Sequence, residues 1–364
     1  MHLVKAENPM LNLELVRGPL PSDEDYQTIC AEYGRLTQSR VSEPQMHHWC
    51  KDSPAGPALH ALLRTDEGRI VGHTCIFPFP IEVAGKRVTG GKTEYLFVHE
   101  DFRHQAVRGM EESLLPASIL MMRQLYRHAN EQLRWDPILA SARPGADGIH
   151  QAAGCRPMTF PLFECLLIRR PWNACRFTPN LSRAKRLALL FLGLPQTWIW
   201  APIRLLLLPL GRNIKSLPMD AGLPSSSDPE KAYFSSDPHY LSWRYPRQQY
   251  ERFGLANGAS DFVIDQKGSS SRYVRICQTN LDSPDFPVLP LIVGLMKQAR
   301  SCHALGIRWA IYDHGRPPTA VVNKLRRLGF WCVRRQRKIL IYTRHKDLVA
   351  PSRWSFDDSL VSFN

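Results

Sequence analysis

EYLFVHEDFRHQAVRGMEESLL, residues 94–115, reads as a strand, a turn carrying basic residues and the start of a helix. Tyr95-Leu96-Phe97-Val98 is short and apolar, and mostly aromatic or β-branched, as a buried strand is. Past the turn, Met110, Leu114, Leu115, Ile119, Met122, Leu125 and Tyr126 recur at helical spacing, with Pro116 as a kink. A strand feeding a helix aims free backbone N–H groups at whatever sits in the turn, and helix N-termini of this kind hold phosphates. Every βα unit has such a turn, so the flanking sequence has to decide what this one serves.

Upstream, residues 58–64 and 69–82 read as strands joined by a Thr65-Asp66-Glu67-Gly68 turn, and a third strand begins near Arg87. Helices are expected at 23–37 and 44–51. Downstream come a strand at 138–142, a short helix at 148–153 stopped by Gly154, and a strand at 158–169. This order of elements, over roughly residues 13–171, resembles the GNAT superfamily of acyl-CoA-dependent N-acyltransferases. The resemblance implies an α/β fold with a mixed sheet, in which the strand-turn-helix holds the pyrophosphate of coenzyme A.

An internal echo extends the reading. His150-Gln151-Ala152-Ala153-Gly154-Cys155 precedes a strand ending LIRR, and Lys324-Leu325-Arg326-Arg327-Leu328-Gly329-Phe330 precedes one ending IYTR. In both, a helix is stopped by a glycine suited to the left-handed conformation of the first residue past the helix. Strands are expected at 261–265, 273–278 and 307–312, with a helix at 289–305. The chain therefore reads as two GNAT-like modules, 1–171 and a diverged second copy at 232–346, with an insert and linker at 172–231 and a tail at 347–364. An unrelated second α/β domain is the alternative.

The insert carries LALLFLGLPQTWIWAPIRLLLLPL, residues 187–210. It is long enough to cross a bilayer, but Pro195, Gln196, Pro202 and Arg204 interrupt it, which fits a helical pair better. With Arg183, Lys185, Arg186, Arg212 and Lys215 beside it, peripheral docking on an anionic membrane is one reading; a buried helical pair between domains is the other. Tyr240, Trp243, Arg244 and Tyr245 form an aromatic and basic cluster, read as an anchor holding a linker helix rather than as a ligand site.

Composition narrows the partners. The chain has 364 residues and 44% hydrophobic content, ordinary for a globular protein; its 47 Lys and Arg against 33 Asp and Glu give a net charge of +14. The balance favours an anionic partner: a nucleotide cofactor, an acidic lipid surface or nucleic acid. Basic clusters at Arg326-Arg327 and 334–338 match no nucleic-acid signature and read as solvated faces. The nine cysteines include no C-x-x-C pair, which argues against zinc and for no metal. An odd count and no N-terminal apolar signal point to a reducing cytoplasm, with the inner face of the membrane as the docking site if there is one. No Gly-x-Ser-x-Gly elbow, Walker loop or His-Glu-x-x-His occurs.

The resemblance implies the chemistry. Acyl transfer from acyl-CoA or acetyl-CoA to a primary amine needs a polarised carbonyl, a proton acceptor for the amine and a proton for the leaving thiolate. The family's carbonyl donors are backbone amides, here Phe97, Val98 and His99. Its phosphate loop, Gln/Arg-x-x-Gly-x-Gly/Ala, falls on Arg103, His104, Gln105, Ala106, Val107 and Arg108, with Gly109 one residue late. Ala106 replaces a glycine that lets backbone approach phosphate; Arg108 either pairs with phosphate instead or blocks the loop. Glu94 takes the place of the base, with His73 and His99 as further candidates. His150 takes the place of the acid, whereas the second copy has Leu325 there, so that module shapes the acceptor cleft rather than catalysing. The acceptor is read as a small-molecule or lipid-linked amine. The alternative is a non-catalytic, membrane-peripheral binding protein on the same scaffold.

Overall fold

The computed structural model describes residues 10–37, 41–110, 113–141, 145–169, 214–218, 230–235, 237–247, 250–255, 261–265, 273–279, 288–301, 303–313 and 318–355, with isolated positions between 182 and 194. The apolar run at 187–210 lies almost wholly outside them. Among the described residues no helix is long and apolar enough to cross a membrane.

The first module opens with β1 (Asn12–Arg17), α1 (Asp23–Thr37) and α2 (Glu43–Lys51). Three acidic residues in the first turn of α1 complement its dipole, and Tyr26, Ile29 and Tyr33 make its buried stripe. Ser42 caps α2 by accepting from the Gln45 N–H. Strands β2 (Leu59–Arg64), β3 (Ile70–Val83) and β4 (Lys86–Val98) follow as an antiparallel meander, with Tyr95–Val98 as the end of β4 rather than a separate strand. Then come α3 (Ala117–Glu131), β5 (Ile138–Ala140), α4 (Asp147–Ala152) and β6 (Arg156–Ile168).

Helix α3 corrects an expectation. The helical pattern from Met110 suggested a helix kinked at Pro116; instead Pro116 stands just before the helix, extended at φ −54 and ψ 145, and its carbonyl accepts from Ile119 and Leu120. A proline pushes the residue before it out of helical conformation, so it starts this helix. Residues 103–110 and 113–116 are loop.

Beyond the insert lie β7 (Ile214–Leu217), β8 (Ala232–Phe234), α5 (Pro238–Arg244), β9 (Tyr250–Leu255), β10 (Asp261–Asp265), β11 (Tyr273–Thr279), α6 (Val288–Ser301), β12 (Gly306–Tyr312), α7 (Thr319–Arg327), β13 (Trp331–Tyr342) and β14 (Trp354–Ser355). All strands join one sheet, ordered β1-β2-β3-β4-β5-β13-β6-β12-β11-β10-β9-β7. The last strand of each half pairs with the other half: β13 with β5, and β6 with β12. The β6–β13 register is symmetric about Pro161 and Gln336. Those two residues, and also Gly154 and Gly329, are 175 positions apart. Both glycines are left-handed (φ 110 and 86) and sit in the same cap, with Cys155 donating to His150 and Phe330 to Leu325. Outward from this axis, β5 runs parallel to β4 as β12 runs parallel to β11. The sheet order is that of a duplicated unit.

Among the described residues three large apolar clusters lie between the sheet and α1, α2 and α5, under α3, and under α6 and α7, with a small fourth at Ile168 and Leu305. The aromatic cluster at 240–245 is an anchor: Tyr240, Trp243, Arg244 and Tyr245 are buried, and Trp243 meets Trp49 edge-on at 5.0 Å. β8 pairs with β3, and Trp354 joins the first module's core, so contacts cross the 231/232 and 346/347 lines read from the sequence.

Candidate functional site

The site begins with an irregularity in β4. His73 faces Phe97 across the ladder but Cys75 faces Glu94, so β4 carries one extra residue between them. Tyr95 takes it up at φ 57, a conformation that costs a tyrosine about 1–2 kcal/mol. Packing offsets this, because the Tyr95 ring is buried edge-on against Tyr33 (5.3 Å) and Phe77 (5.7 Å). β5 pairs with β4 along Gly91–Thr93 and ends at Ala140, so among the described residues β4 has no strand partner on that side past the bulge, which leaves a gap.

The bulge also sets which backbone groups face the gap. His99 donates to the Val71 carbonyl (2.9 Å), which puts His99, and Phe97 two residues earlier, in the hydrogen-bonding phase toward β3. Val98 therefore turns its N–H the other way, into the gap. Of the three amides the resemblance named, Val98 is the one aimed there. Parity could be assigned only once the extra residue at Tyr95 was seen.

The gap is a cleft of about 390 Å³. Leu96, Phe97 and Val98 form one wall, Leu36 and Thr37 of α1 the rim, and Ser118, Ala146 and Ile149 the opposite side. Arg103 lines it as well, its Nε donating to the Val98 carbonyl (3.4 Å) while its own carbonyl accepts from Ala117 at the start of α3 (2.8 Å). The loop is thus tied to both strand and helix and sets a guanidinium at the mouth.

The rest of the loop is used differently. Leu11 donates to the Ala106 carbonyl (2.9 Å) and accepts from the Arg108 N–H (2.8 Å), and Val107 is buried between. The Arg108 guanidinium reaches Asp66 (2.9 Å) and does not line the cleft. Gln105 donates from Nε2 to the Asp101 carbonyl (3.3 Å), His104 is exposed, and Gly109 is left-handed at φ 77. A polyanion at the mouth would be held by Arg103 and by Ser118 of α3 rather than by glycine amides, since Ala117 and Ile119 donate to the Arg103 and Pro116 carbonyls.

Two carboxylates lie near. Glu94 is buried and paired with the buried Lys92 ammonium. Burial lowers the Lys92 pKa and the Glu94 charge only partly restores it. At the α1 edge, His99 Nε2 lies 3.1 Å from Glu32 Oε2 and 2.9 Å from an Arg35 guanidinium nitrogen. Burial raises the Glu32 pKa, but the hydrogen bonds and charges of Arg35 and His99 outweigh it and hold the carboxyl below its ordinary range. Unprotonated, Nε2 accepts from Arg35; protonated, it donates to Glu32. Glu32 was not found from the sequence because 67 residues separate it from His99.

His150 stands one residue behind the cleft-lining Ile149. It is buried, with Nδ1 2.7 Å from the Tyr126 hydroxyl, which also meets Thr93 Oγ1 (3.1 Å). Burial pushes its pKa down to about 4, against the pull of Asp147, so it is neutral at pH 7. Burial likewise raises Tyr126 well above its ordinary value. The equivalent Leu325 is buried in the second half's core. His73 is wholly buried against His60.

No family model and no curated protein matches this sequence. Solved structures do. A probable N-acyltransferase of Enterococcus faecalis V583, a conserved protein of unknown function, superposes over 91% of this chain and 72% of its own at a TM-score of 0.56 and 9% identity. The N-myristoyltransferase of Saccharomyces cerevisiae, with bound myristoyl-CoA, superposes over 94% and 89% at 0.55 and 11% identity. The fold is the GNAT fold. Within it, the end of β4 past the Tyr95 bulge and the starts of α3 and α4 line the cleft, and Val98 and Arg103 are among the lining residues.

Proposed function

We propose that the protein moves an acyl group from an acyl-CoA to a primary amine. The observation that carries this is the cleft beside the unpaired end of β4, with the Val98 N–H turned away from β3 into it and Arg103 in its lining. The Val98 amide polarises the thioester carbonyl where negative charge develops. Arg103 and Ser118 of α3 hold the phosphates of the donor. His99, backed by Glu32, accepts the amine proton, with Glu94 acting through water as the second candidate. His150 is neutral and fixes Tyr126; a thiol of ordinary pKa, about 8.5, leaves near neutral pH without a strong acid beside it.

Calorimetric titration of the full chain with acetyl-CoA and longer acyl-CoAs tests donor binding. Arg103→Ala should weaken it by about ten- to a hundredfold, the worth of a hydrogen bond to a charged group. Undiminished affinity would remove Arg103 from the site. The chain length bound most tightly identifies the acyl group carried, and sedimentation with anionic vesicles decides whether the chain docks on membranes.

The use of Ala106 and Arg108 backbone by Leu11 favours a second reading, a non-catalytic protein that binds on this scaffold. Donor binding with no turnover on any amine would favour it.

A further inference from the structure

Cys50 near the end of α2, His60 on β2 and Cys75 on β3 come together on the α2 side of the sheet, away from the cleft lining. Their ligand atoms lie within 4.8 Å of one another and all three residues are fully buried. We propose that Cys50, His60 and Cys75 bind a Zn²⁺ ion that ties α2 to β2 and β3 beneath the β4 bulge.

The donor set fits. Two thiolates and an imidazole are zinc ligands, and bonds of about 2.0–2.3 Å put tetrahedral corners about 3.5–3.8 Å apart, a small contraction from this spacing. Two thiolates also balance a divalent charge, which an apolar interior requires.

His60 gives an independent sign. Its Nε2 is buried and makes no hydrogen bond, although a buried polar nitrogen is ordinarily partnered. Its Nδ1 lies 3.1 Å from Nε2 of His73. At that distance the His73 nitrogen can accept from the His60 Nδ1–H. A zinc-bound histidine typically donates its second ring N–H in this way, which fixes the tautomer and aims the other nitrogen at the metal. Cys75 also reaches the Glu94 carbonyl on β4 (3.8 Å), so the site sits directly under the bulge.

Among the described residues no fourth Cys, His, Asp or Glu completes the cluster, which leaves a corner for water. The ligands come from three elements, which is why the absence of a C-x-x-C pair said nothing about them.

The test uses tag-free, full-length protein prepared under reducing conditions. Elemental analysis should find about one zinc per chain, lost in Cys50→Ser and His60→Gln and kept in Cys277→Ser. Stripped wild-type protein should take up one equivalent of Co²⁺ with a saturable thiolate-to-cobalt charge-transfer band, a readout that stands even if a variant fails to fold. Metal-free protein with no saturable cobalt band would overturn the proposal. So would a Cys50–Cys75 disulfide, seen as two missing thiols on titration in non-reducing denaturant.

Discussion

His99 and His150 show how little a residue's type says about its state. Both are histidines near the cleft; one lies between Arg35 and Glu32 at its edge, the other is buried against Tyr126. His99→Gln should lower kcat by about 10²–10³-fold with donor affinity unchanged, the usual worth of a positioned base; steady-state kinetics with calorimetric donor binding checks it. For His150 the test is pH. Its pKa near 4 in the folded chain lies below the unfolded value near 6.5, so its stability contribution is present above pH 6.5 and is lost as pH falls toward 4. Between pH 7 and 4 the wild type should lose about 3 kcal/mol more stability than His150→Gln in urea unfolding, and equal losses would refute the assignment. The position of His150 was legible from Gly154, four residues on. Its burial was not, because that depends on α3 lying across it.

Elements were read more securely than residues. Helix α1 and strand β10 have the bounds expected from their sequence, since acidic first turns, glycine stops and apolar periodicity are local signals. The bulge in β4 was invisible because nothing local marks Tyr95 for φ 57; it is set by the registers of β3 and β5 and by the rings around it. That bulge makes a specific prediction. Val98 faces away from β3, so proline there removes the N–H aimed at the cleft without breaking a ladder bond, and Phe97 before it is already extended. Val98→Pro should lower kcat by about 10²–10³-fold while donor binding persists and the far-ultraviolet spectrum is unchanged. Unaltered kcat would place the carbonyl donor elsewhere.

For the whole molecule, the two halves exchange their closing strands. β13 lies between β5 and β6, and β6 between β13 and β12, so neither half completes its sheet alone. The duplication was legible in the paired helix ends at Gly154 and Gly329; the exchange was not, because strand order depends on contacts between segments 175 residues apart. A fragment of residues 1–231 should therefore lack a cooperative thermal transition and expose apolar surface, whereas the full chain should melt with its two halves coupled, as calorimetry would record; a cooperatively folded fragment would contradict the shared sheet.

The central claim is amine-dependent acyl transfer at the cleft beside the end of β4. The most direct measurement is release of free coenzyme A thiol from acetyl-CoA and longer acyl-CoAs, by the full chain, with and without a panel of primary amines. The account predicts release that requires the amine, yields the N-acylated product in equal amount, and falls at least a hundredfold in Val98→Pro. Tight donor binding with no amine-dependent release, or release unaffected by Val98→Pro, would contradict it.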